Sequence, residues 1–83
     1  MKIETRIALL GIIIEDNTVT EQLNGILHEY ANYIVGRMGI PYREKNVAII
    51  SVVVDASNDV ISSLSGKIGA IKGVNIKTVY SKK

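Results

Sequence analysis

Cysteine, phenylalanine and tryptophan are absent from this chain of 83 residues, and proline and histidine occur once each. Without cysteine there can be no disulfide framework, thiolate metal centre, iron–sulfur ligation or thiol nucleophile. The lone histidine, His28, cannot build a zinc site by itself. Four tyrosines are the whole aromatic complement, which leaves little π surface on which nucleic-acid bases could stack. Neither sign of charge prevails: 10 basic against 8 acidic residues give a net charge of +2, without the clustered basic face of a nucleic-acid binder. Apolar runs reach about eight residues, where a bilayer span needs about 20. Lys2, Glu4 and Arg6 place charge where a secretory h-region would begin. A small cytoplasmic protein is expected, with no membrane association, no direct nucleic-acid contact, no cofactor and no metal.

What the chain has in abundance is aliphatic side chains in two registers. Residues 3 to 14, "IETRIALLGIII", begin with alternation and become apolar throughout, as in a strand buried on both faces. Residues 18 to 21, "TVTE", read as a capping box, with the Thr18 hydroxyl on the Glu21 amide and the Glu21 carboxylate reaching back. Behind them Val19, Leu23, Ile26, Leu27, Tyr30 and Ile34 recur at helical spacing. Gly25, in mid-helix, implies close contact with a neighbouring element. A weak strand is expected over 33 to 39, and a second strongly aliphatic one over 47 to 55, "VAIISVVVD". Ser57 or Asn58 caps a second helix along Val60, Ile61, Leu64, Ile68 and Ile71. Gly73 stops it, and "VNIKTVYS", 74 to 81, alternates like an edge strand.

The order β-α-β-β-α-β is that of the α+β, ferredoxin-like split unit. This predicts a four-stranded antiparallel sheet with both helices on one face, strands one and three central. The opposite face should then be polar, since an antiparallel sheet can show one side to water. It is not: both alternating sets of the central strands are aliphatic. Such a face on so small a protein marks an interaction surface, and pairing of identical copies is the simplest way to cover it. A homo-oligomer, dimer or tetramer, is expected. We assign Leu10, Ile12, Ile49 and Val53 to its contact.

Catalytic patterns are missing. No second residue completes a triad with His28, which reads as a surface or boundary histidine. Gly36-Arg37-Met38-Gly39 is neither a P-loop nor a dinucleotide fingerprint. An acylphosphatase-like site would place glycines and arginine after the first strand, where Glu15-Asp16-Asn17 stand instead. RNA-recognition domains share this topology but stack bases on aromatics of the central strands, and these strands contain none. A non-catalytic role follows.

The stretch "GRMGIPYREKNV", 36 to 47, holds the chain's densest mixture of charge, glycine and proline. Pro41 cannot donate to a ladder, so the second strand should end at or before it, leaving Pro41 to Asn46 as a hairpin connection. That connection is either a solvated loop or an anion-attracting rim. In the second case Arg37, Tyr42 and Arg43 are the ligand-binding residues, since arginine suits bidentate carboxylate or phosphate contacts.

The segments "GRMGIPYRE", "ISVVVDA", "NDVIS" and "LSGK" resemble the family of regulators assigned to the iron-only hydrogenase system, short stand-alone proteins with an ACT-like fold. The resemblance covers nearly the whole chain and implies a single ACT-like regulatory domain over 1–83. More distantly, the arrangement is similar to the C-terminal domain of nickel-responsive repressors. Their metal-ligand region falls at about Ile40, Tyr42 and Ala48, none of which offers imidazole or thiolate. With the fold using all 83 residues, a ribbon-helix-helix segment is not expected. Two readings follow: a homo-oligomeric regulatory domain sensing a small-molecule effector, or an adaptor that binds a protein partner and no small molecule.

Overall fold

The computed structural model describes residues 4–82; the expected first strand residue Ile3 and the terminal Lys83 lie outside them. Four strands and two helices follow in the predicted order: β1 (Arg6–Ile14), α1 (Thr20–Glu29), β2 (Ile34–Tyr42), β3 (Val47–Ala56), α2 (Asn58–Gly69) and β4 (Val74–Tyr80). The sheet is antiparallel in the order β2-β3-β1-β4, with the two aliphatic strands at its centre. The α+β ferredoxin-like arrangement expected from the sequence is present.

Strand alternation divides β1 sharply. Ala8, Leu10, Ile12 and Ile14 are buried beneath the helices with Ile50, Val52, Val54 and Ala56 of β3, against Leu23 and Leu27 of α1 and Ile61, Leu64 and Ile68 of α2. Nothing polar is buried among the described residues. The core is therefore hydrophobic only, and its stability comes from apolar area removed from water.

Local signals decided several boundaries differently from the sequence expectation. The turn before α1 is capped by Asp16, whose carboxylate accepts from the Thr18 amide at 2.9 Å and the Thr18 hydroxyl at 2.6 Å. The expected Thr18–Glu21 capping box does not form: Asp16 is the cap, and Thr18 lies inside the turn it caps, not at the cap position. A short 3-10 turn, Asn17–Val19, precedes the helix proper. Those two bonds from Thr18 hold the Asp16 carboxyl below its ordinary pKa. In α2 the cap is Ser57, which accepts from the Val60 amide at 3.3 Å. Gly25 is exposed, and a Cβ on it would find no heavy atom within 4 Å, so the expected close contact is absent and nothing in the structure explains this glycine.

The second strand does not end at Pro41. It runs on to Tyr42, with Pro41 opposite Ala48 and Tyr42 opposite Val47. β2 is an edge strand, and proline is tolerated where its nitrogen faces away from the single neighbour. The connection shrinks to Arg43–Asn46, closed by Asn46 in the left-handed region at φ 54°. Near the start of β4, Gly73 adopts φ 86° and its carbonyl accepts from the Glu15 amide at 2.8 Å.

Candidate functional site

The sheet has one covered face and one open face. Register places Ile7, Leu9, Gly11 and Ile13 of β1 on the open face beside Asp55, Val53, Ser51 and Ile49 of β3. β4 adds Asn75, Lys77 and Val79, and β2 adds Gly36, Met38, Ile40 and Tyr42. Ile7, Leu9 and Ile13 are 42–43% exposed, Met38 59% and Val79 63%. Large aliphatic side chains of this kind are usually buried.

Two residues assigned to the contact from sequence are on the wrong side. Leu10 and Ile12 are 0% exposed, inside the core under the helices. They cannot meet a partner without unfolding the protomer, and their places on the open face are taken by Leu9 and Ile13. Ile49 and Val53 do lie on that face. The sequence held the signal that separates the two sets. Apart from Arg6 at its end, the covered face of the central strands is apolar at every position, whereas the open one is interrupted by Gly11, Ser51 and Asp55.

The expected anion rim is divided. Arg37 pairs with Val52 and so stands on the helix side of β2, where its guanidinium donates to Asn24 Oδ1 at 3.1 Å. It lines a hollow of about 310 Å³ with Leu27, His28 and Ala31. Tyr42 pairs with Val47 on the opposite face, five residues and roughly 16 Å along the strand. Its hydroxyl donates to Glu44 at 3.2 Å. Arg43 follows in the hairpin turn and lines a separate hollow with Tyr42, Asn17 and Thr20. Arg37 therefore shares no site with the other two, because an odd spacing along a strand reverses the face.

A different set of residues comes together at the middle of the open face. Met38, Ser51, Gly11 and Lys77 form one row across all four strands. With a hydrogen at Gly11 and a hydroxymethyl at Ser51, that row is low. Ile13 and Ile49 rise on one side of it, and Leu9 and Val53 on the other. The resulting hollow, about 530 Å³, is lined by Gly11, Ile13, Ile49, Ser51, Asn75 and Lys77 among others. The Asn75 amide is engaged, donating to Glu15 Oε1 at 2.6 Å. The Ser51 hydroxyl and the Lys77 ammonium have no hydrogen-bond or ion-pair partner among the described residues. Sequence reading passed over Gly11, Ser51 and Lys77 because they share no local motif and meet only through strand register.

On the far side of the molecule the helices are tied to each other at the surface. The Tyr30 hydroxyl bonds Ser63 at 2.9 Å, and Lys67 pairs with Glu29 at 3.5 Å. The bonds to Ser63 and Lys67 pull the Tyr30 hydroxyl below its ordinary pKa, and Tyr30 with Glu29 raises that of Lys67. These are exposed groups and hold the helices only weakly. No cluster of three or more His, Cys, Asp or Glu side chains suited to a metal ion occurs among the described residues. None of their helices is long and apolar enough to cross a membrane.

The family comparison and the comparison with solved structures agree. Residues 6–78 match the family model described as "TM1266-like: Iron-only hydrogenase system regulator, putative". The solved structure of uncharacterized protein TM1266 from Thermotoga maritima is similar, with a TM-score of 0.91 and 42% sequence identity over 95% of this chain and 100% of that one. No curated protein matches.

Proposed function

This chain belongs to the TM1266-like family, and from that premise we propose that it is a non-catalytic regulatory protein of the iron-only hydrogenase system, working as a homo-oligomer that senses a small-molecule effector. The family description supports the regulatory role. The open sheet face supports the oligomer and is the observation that carries the reading.

Strands of seven to ten residues at about 3.3 Å per residue and about 4.8 Å spacing give that face a plan area of roughly 550 Å². Two copies meeting across it would bury on the order of 1,100 Å², above the roughly 1,000 Å² that a specific interface needs. The contact would be isologous, apolar at its centre and bordered by Asp55, Asn75 and Lys77. An adaptor role without a ligand is the competing outcome.

The test is genetic and biochemical together. Removing the coding sequence from its source cells is expected to change the amount or activity of iron-only hydrogenase. A wild-type copy should restore it, and a Leu9→Asp copy should not. Hydrogenase levels that stay the same in all three strains would overturn the regulatory reading.

A further inference from the structure

We propose that the hollow at the centre of the open face, floored by Gly11 and Ser51 and ended by Lys77, is a binding site for an aliphatic monocarboxylate. The inference rests on the ligand-sensing part of the reading above and names the site and the chemical class.

Gly11 is the first observation. Glycine in the middle of a central strand weakens it, and inside the protomer nothing requires it. A Cβ built there would meet only the Lys77 carbonyl, at 3.8 Å, an ordinary contact. The space that a side chain would fill lies on the open face, in the hollow itself. Gly11 stands opposite Ser51 on one side and Lys77 on the other, so the depression is continuous across three strands.

Its position is the second. The Gly11–Ser51 pair lies near the middle of both central strands. A two-fold contact centred on the sheet would set depression against depression, not knob against hole. The hollow would then be enclosed rather than filled, and a volume of about 530 Å³ falls in the range of small-molecule sites.

The lining selects the ligand. Ile13 and Ile49 offer branched aliphatic walls, which suit a short alkyl chain. Lys77 supplies one ammonium and Ser51 one hydroxyl, both without partners among the described residues. One carboxylate would satisfy both, through a charge-assisted bond that pairing of two copies would shield from solvent. A phosphate dianion would call for more donors than these, and no aromatic face is present for a nucleobase. An α-amino group would find no carboxylate among the lining residues, so the site favours a plain carboxylic acid over an amino acid.

The probe is 4-methylpentanoate, compared with 4-methylpentanamide, on the full chain by thermal shift, with light scattering on the same samples. At about tenfold excess over its Kd the carboxylate should raise the wild-type Tm by roughly 5 °C or more, and the uncharged amide should not. Lys77→Gln and Gly11→Val should each abolish the shift. Lys77→Gln removes the charge without altering the walls at Ile13 and Ile49 and should keep the wild-type mass, which guards against misreading a folding defect. An equal response to the amide, or a shift that Lys77→Gln retains, would overturn the assignment. So would a panel of C4–C8 carboxylates that leaves the wild-type Tm unmoved. A nucleotide or other metabolite that stabilises Lys77→Gln as well as wild type would also overturn it, while leaving ligand sensing elsewhere on the protein. A monomeric mass with the carboxylate shift intact would support the site and refute only the paired face.

Discussion

Leu9 faces Val53 across the two central strands, on the side of the sheet away from both helices. Their chain neighbours Leu10 and Val52 face each other on the other side, fully buried. One residue of register thus separates a surface position from a core position of identical chemistry. Leu9→Asp should give a folded protomer that no longer associates, because the charge would sit in a desolvated contact only in the oligomer. Leu10→Asp should unfold the protein, and Leu10→Ala should cost about 2–5 kcal/mol. Circular dichroism with light scattering checks this. A folded Leu10→Asp protein, or an associated Leu9→Asp one, would contradict the assignment of faces.

Gly73 fixes the entry to β4 against Asp16, the cap of the turn before α1. A Cβ on it would lie 2.8 Å from the Asp16 Cβ, and its φ of 86° belongs to the left-handed region. Gly73→Ala should destabilise by at least about 1–2 kcal/mol from the backbone conformation alone, with the steric clash added. Chemical denaturation of the variant and wild type measures it, and an unchanged midpoint would show that this turn relaxes freely.

Asp16 gives the fold an acid-sensitive element. Because the bonds from Thr18 lower its pKa in the folded state, its contribution is complete above the ordinary aspartate range. It is lost as pH falls through the lowered folded value. Asn in its place accepts the same backbone bond without titrating. The Tm gap between wild type and Asp16→Asn should therefore be constant near neutrality and narrow in acid. A gap independent of pH would mean that the charge plays no part.

The element order and the pairing of the central strands were legible because aliphatic β-branched runs and helical stripes are strong, local patterns. Boundaries were less so: Asp16, two residues before Thr18, caps the turn that leads into α1, and an edge position excused Pro41 from breaking β2. The choice of face failed at Leu10 and Ile12 because both alternating sets are apolar. The interruptions at Gly11, Ser51 and Asp55 tell them apart. Arg37, Tyr42 and Arg43 looked like one cluster in sequence, yet the alternation of a strand sent Arg37 to the opposite face from Tyr42. The row Met38, Ser51, Gly11 and Lys77 could not be read from any one segment, since long-range register alone assembles it.

The central claim is that the open face is a contact between copies. It is tested most directly by the solution mass of the untagged wild-type protein, measured by light scattering or sedimentation across a concentration series. The account predicts at least twice the protomer mass of 9.1 kDa at micromolar concentration, falling to that of the protomer for Leu9→Asp. A wild-type protein that stays soluble at the protomer mass into the high micromolar range would contradict it.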